Sequence, residues 1–153
     1  MSKLAQAIEK TPDIRGHAQV GKNAIKGEYR SKIVVPNTKL LTCSVDIDNA
    51  VATLYPNENR WDYAIEYNKE VFFIEFHPAE TSSVTVVLKK LEWLKEWLKK
   101  KAPKIDELKS AEHYPYYWIG SGSFNILKTS AQYRRLTEAR LLPKTQWNYI
   151  NIK

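Results

Sequence analysis

The segment "VFFIEFHPAE", residues 71–80, constrains this chain more than any other. Side chains alternate along an extended strand, so Val71, Phe73, Glu75 and His77 share one face while Phe72, Ile74 and Phe76 share the other. Both faces are apolar, as in a central strand of a sheet covered on two sides. Glu75 and His77 then stand where an unpaired charge is strongly unfavourable. The pattern therefore calls for a metal, a catalytic site or a tight ionic partner.

The flanking segments build outward from this strand. "RWDYAIEY" is a second strand-like run, and the short "NKE" joins the two as a hairpin. In that first strand Asp62, Ala64 and Glu66 fall on one face. After a loop "PAETSS", apolar residues at 84, 87, 88, 91, 94 and 98 carry the spacing of an amphipathic helix from Val84 to Lys100. Its other face bears Lys89, Lys90, Glu92, Lys95, Glu96, Lys99 and Lys100. "YPYYWIG" reads as a further strand, "SGSFNILKTSAQYRRLTEARLLP" as a second helix and "QWNYINI" as a last strand. Residues 3–10 predict a short helix, and residues 1–38 are otherwise the least legible part because Gly16, Gly21 and Gly27 interrupt them. From Lys39 to Asp48 polar and apolar residues alternate as in a strand, while Ser44, Asp46 or Asp48 could instead cap a short helix through "NAVATLY".

The order predicts an α/β chain of the mixed α+β kind: a central mixed sheet of about four to five strands flanked by helices, with a parallel crossover beside an antiparallel hairpin. Residues 1–153 read as one domain, with 121–153 as a C-terminal helix and strand. The single cysteine, Cys43, excludes an intrachain disulfide framework and reads as a buried structural thiol. The N-terminus has no apolar stretch long enough for a signal peptide or a membrane span, which points to a cytoplasmic protein with no membrane partner. A formal net charge of +7 favours anionic partners, nucleic acid above all.

Two carboxylates on neighbouring strands of a hairpin suit magnesium or manganese, which prefer oxygen ligands and leave room for water and a phosphate. Asp62 and Glu75 meet that requirement, with His77 one pleat further on and able to assist a water or the phosphate. Asp62 also has a plainer reading, as a turn residue paired with Arg60. With Asp62 in "RWDYAIE", Glu75 in "FFIEFH" and the helix that follows, residues 40–120 resemble the PD-(D/E)XK nuclease-like superfamily. The resemblance implies a restriction-endonuclease-like core, a metal held by Asp62 and Glu75, and hydrolysis of DNA or RNA phosphodiesters. Where the pattern has a lysine this chain has His77, so the resemblance implies that Lys89 or Lys90 of the following helix supplies the ammonium, or that catalysis is lost. It also implies a further acid, for which Glu9, Glu28, Asp46 and Asp48 are candidates.

Other signals suggest binding surfaces. Lys128, Arg134, Arg135 and Arg140 could contact phosphates from the last helix, or be only its solvated face. "WIGSGSFN" could hold a phosphate between a strand and a helix N-terminus, although an ordinary turn is the plainer reading. Trp93 and Trp97, one helical turn apart, could stack on bases or form the seam of a homodimer. The rival functions are thus a catalytically silent module that binds nucleic acid or protein, and a dimerising interaction protein. His17, His77 and His113 lack the spacing of a zinc motif.

Overall fold

The computed structural model describes residues 2–152 and has a central sheet of five strands in the order β1-β3-β4-β5-β6. The strands are β1 (Gln19–Val20), β3 (Leu41–Asp46), β4 (Tyr63–Tyr67), β5 (Glu70–Glu80) and β6 (Tyr116–Asn125). Neighbours run antiparallel except β5 and β6, which are parallel and joined through helix α4 (Val84–Lys101), so the sheet is mixed as expected. Asn68 and Lys69 link β4 to β5, both with positive φ (51° and 68°), the backbone that a two-residue turn between twisted strands requires.

Strand β5 partitions the interior. Val71 and Phe73 join the cluster of Leu4, Ala64, Leu91, Leu94 and Trp118, whereas Phe72 and Ile74 join Ile33, Ile65, Tyr117 and Trp147. Helices α1 (Lys3–Glu9), α3 (Ile47–Val51), α4, α5 (Pro103–Asp106) and α6 (Ala131–Ala139) contribute to the first cluster. The second is covered differently from the expected layer of helices. A small parallel pair, β2 (Ile33–Val34) with β7 (Trp147–Asn148), closes it together with Tyr29 of the short helix α2 (Gly27–Arg30).

Helix α4 forms because its apolar stripe is buried at Val84, Val87, Leu91, Leu94, Trp97 and Leu98, each contributing about 1.5–3 kcal/mol of transfer free energy. It ends at Ala102, and Pro103 opens α5 at a position where no amide is needed. Both readings of residues 39–55 hold in part. β3 runs to Asp46, and the Asp46 side chain then accepts from Asn49 N to cap α3.

Three expectations are corrected. "PAE" is strand rather than loop, since β5 continues to Glu80; Pro78, which has no N–H, sits where the pairing with β6 is irregular, between His77 and Ala79. "SGSFN" is likewise strand, so no helix N-terminus follows its glycines and the phosphate-loop reading fails. A Cβ at Gly120 would lie 2.5 Å from the ring of Phe124, so a larger residue there would have to displace that exposed ring. The second helix is therefore only Ala131–Ala139, capped by Ser130 and ended by Arg140 in the left-handed region. "QWNYINI" supplies just two strand residues before a turn at Tyr149–Asn151.

Candidate functional site

Asp62 lies one residue before β4, where its carbonyl accepts from Ile47 N (2.8 Å), fixing the start of α3 beside it. Glu75 comes from the middle of β5 and is fully buried. The entry to β4 and the middle of β5 hold each other's carboxylates. Asp62 N donates to Glu75 Oε1 (3.1 Å) and Phe76 N donates to Asp62 Oδ2 (2.9 Å). Lys90 reaches across from α4, its Nζ 2.6 Å from Glu75 Oε2. His77 Nδ1 stands 3.7 Å from the same oxygen, beyond a hydrogen bond but close enough for an ion pair when the imidazole is protonated.

Of the candidate further acids, Asp48 is the one whose charge acts on both Asp62 and Lys90. It pairs with Arg60 (Nε to Oδ1, 2.8 Å), while Arg60 Nη1 donates to the Tyr55 carbonyl. Arg60 is thus the partner of Asp48 and not of Asp62. Asp46 is occupied as the cap of α3, and Glu9 and Glu28 are exposed on α1 and α2. Burial, and after it the charge of Glu75, pushes the Asp62 carboxyl up to about 8, against the pull of Lys90 and the Phe76 amide. Burial works against the Lys90 ammonium too, yet Glu75 and Asp62 outweigh it and raise its pKa.

In the cluster the Lys90 ammonium faces Glu75, the half-buried Asp62 carboxyl keeps its proton up to about pH 8, and Asp48 beside them is paired with Arg60. Hard carboxylate oxygens are the donors that magnesium and manganese take. Each oxygen of Glu75 already accepts one hydrogen bond, but a carboxylate offers about four lone-pair sites, so Asp62 and Glu75 retain the capacity to ligate.

Lys89 does not share this site. It is exposed and lines a groove of about 610 Å³ with Tyr55, Glu58, Trp93 and Glu96. Helical geometry carried the distinction. At about 100° per residue, Lys90 lies roughly 70° from the centre of the α4 apolar stripe and Lys89 roughly 170° away. The convergence of Asp48 and Arg60 had no comparable sequence signal.

The two α4 tryptophans stack on each other (centroids 5.6 Å apart, planes at 11°), but Trp97 is buried and donates to Asp13 Oδ2. The pair is therefore not a surface platform, and only Trp93 is partly accessible. The basic residues near the C-terminus are dispersed. Lys128 precedes α6, Arg134 is exposed on it, Arg135 donates to Thr85 Oγ1, and Arg140 lies over the Tyr114 ring, 4.3 Å from its centroid. Cys43 is buried, and burial pushes its thiol up to about 11, as an inert structural thiol requires. Among the described residues no helix is long and apolar enough to cross a membrane.

Comparison with protein families, with curated proteins and with solved structures finds no match to this chain.

Proposed function

We propose that the protein is a metal-dependent nuclease acting on DNA or RNA phosphodiesters. The observation that carries this reading is Lys90 Nζ on Glu75 Oε2, beside an Asp62 carboxylate held by the Phe76 amide of the same strand. A lysine from the helix thereby faces the glutamate where the Glu-X-Lys pattern has its own lysine, which His77 replaces in this chain. Asp62 and Glu75 would hold magnesium or manganese, with Asp48 at hand as a further oxygen donor.

The cation would lower the pKa of a bound water and neutralise charge on the phosphate. Lys90 supplies a fixed positive charge toward the phosphoryl oxygens from a side chain that helix packing keeps in place. His77 orients through Glu75 and can donate or accept a proton at the partly open edge of the site. Asp62, held neutral near pH 7, must lose its proton to become a ligand, so cation affinity rises as pH passes through about 8. The net charge of +7 adds sequence-independent attraction to a polyanion.

The test is titration of manganese or magnesium into the wild type and Glu75→Gln, with plasmid and RNA cleavage followed on the same preparations. Cation binding and cation-dependent cutting that both disappear in Glu75→Gln support the nuclease. Full cleavage by Glu75→Gln overturns it. Absence of cation binding in the wild type makes Asp62, Glu75 and Lys90 a structural ionic cluster, and turns the basic surface toward a silent binding role.

A further inference from the structure

A second set of donors gathers at the other end of β5. Among the described residues, Glu70, Glu112 and His113 form a group of possible metal ligands whose donor atoms all lie within 4.8 Å of one another. Glu70 opens β5, whereas Glu75 and His77 lie further along it, so this group is separate from the candidate nuclease site.

The surroundings orient Glu70 toward His113, with no lysine or arginine among the described residues between them. Ser110 Oγ donates to Glu70 Oε1 (2.6 Å) and Tyr149 OH to Glu70 Oε2 (3.2 Å), two neutral hydroxyls that fix the carboxylate plane without neutralising it. His113 is tied by its own amide, which donates to Ser110 Oγ (3.0 Å), and its ring packs at 5.5 Å from Tyr149 and 6.1 Å from Phe72. Its Nδ1 is buried, has no hydrogen-bond partner and stands 3.5 Å from Glu70 Oε1. A buried imidazole nitrogen aimed at a pre-oriented carboxylate lacks a third participant. Glu112, exposed on the same loop, is the side chain free to bring one in.

We propose that Glu70, Glu112 and His113 are a zinc site that clamps the loop before β6 to the start of β5. One imidazole with two carboxylates suits a borderline cation better than magnesium, which avoids nitrogen. Zinc bonds of about 2.0–2.2 Å place tetrahedral donors about 3.4 Å apart, so closure needs a small inward swing of Glu112. The fourth position is left to water or to an external ligand. The loop is already stitched to β5 by Val71 N to the Leu108 carbonyl and Ser110 N to the Val71 carbonyl, so the ion completes an existing attachment.

Zinc chloride alone is titrated into the full chain by calorimetry at pH 7.5, and thermal unfolding is followed with zinc and with a chelator. The proteins are the wild type, Glu75→Gln, His113→Gln and Glu112→Gln. Zinc should raise the Tm of the wild type and of Glu75→Gln alike, and bind at least tenfold more weakly to His113→Gln and Glu112→Gln. Since Glu112 is exposed, that variant keeps the test informative should His113→Gln fold poorly. Wild-type affinity in both His113→Gln and Glu112→Gln, absence of zinc binding to the wild type, or loss of binding in Glu75→Gln alone overturns the assignment.

Discussion

Glu66 and Glu75 are both buried carboxylates on the hairpin, pointing to the same face of the sheet, yet their surroundings differ in kind. Glu66 Oε1 accepts from the Ser2 hydroxyl, Leu4 N and Thr42 Oγ1, neutral donors that attach the start of α1 to β4. Glu75 accepts from the Asp62 amide and from a lysine, and shares its neighbourhood with a second carboxylate that burial holds protonated. A buried glutamate is thus not by itself a site. Neutral donors that tie Glu66 to the start of α1 and to β3 make it structural, while crowding with another acid, protonated up to about pH 8, gives Glu75 a second carboxyl that a cation can recruit by displacing its proton.

The largest expected effect separates these two residues by activity. Glu75→Gln or Asp62→Asn should lower cation-dependent cleavage by about a thousandfold, whereas Glu66→Gln should leave it within about threefold. Equal losses in a nuclease assay would erase the contrast. Next, Lys90→Met should cost about a hundredfold in kcat with Lys89→Met near wild type, because only Lys90 touches Glu75. Loss in Lys89→Met instead would move the site toward the Trp93 groove.

The third effect concerns stability against pH. The folded-state pKa of Asp62 lies near 8, above its unfolded value, so the folded protein keeps a proton that the unfolded chain has released. Its contribution is complete below about pH 4 and is lost as pH rises through about 8. Asp62→Asn should then be the more stable protein at pH 9 in chelator, by about 2 kcal/mol in urea unfolding, with the difference vanishing at pH 4. A gap that does not depend on pH would show that Asp62 is ionised in the folded chain. Glu66→Gln should instead lose about 1 kcal/mol through its hydrogen bonds to the start of α1. The smallest effect is that of His77→Ala, about threefold in cleavage, since His77 meets Glu75 only at 3.7 Å. A loss approaching that of Lys90→Met would give His77 a direct proton-transfer role.

Legibility followed the range of the interactions. The β4–β5 hairpin, helix α4 and the tension at Glu75 were readable because each rests on local periodicity or on one residue at odds with its neighbours. The boundaries of β6 and α6 were not. Gly120, Ser121 and Gly122 read as a break between elements, yet pairing on both sides of Pro78, His77 with Gly120 and Ala79 with Phe124, carries the strand through them. Residues 11–38 stayed obscure because Gly16 and Gly21 take positive φ and the strands between are two residues long, set by partners far along the chain. The cluster at Glu70 escaped motif spacing because Glu70 and His113 meet only where the segment before β6 bridges the start of β5, at Val71 and Lys109.

By itself the sequence determined that β5 must be covered on both faces, that α4 must lay one stripe against it, and that Glu75 must find a partner inside. These follow from side-chain alternation and from the cost of a lone buried charge, which act within a few residues. Helix periodicity set Lys90 apart from Lys89, but only the tertiary structure decided that the partner is Lys90 rather than His77, and that Asp48 and Arg60 complete the cluster. Those choices depend on sheet register and on the rotation of a docked helix, where one residue's shift in either would present a different charge to the same carboxylate.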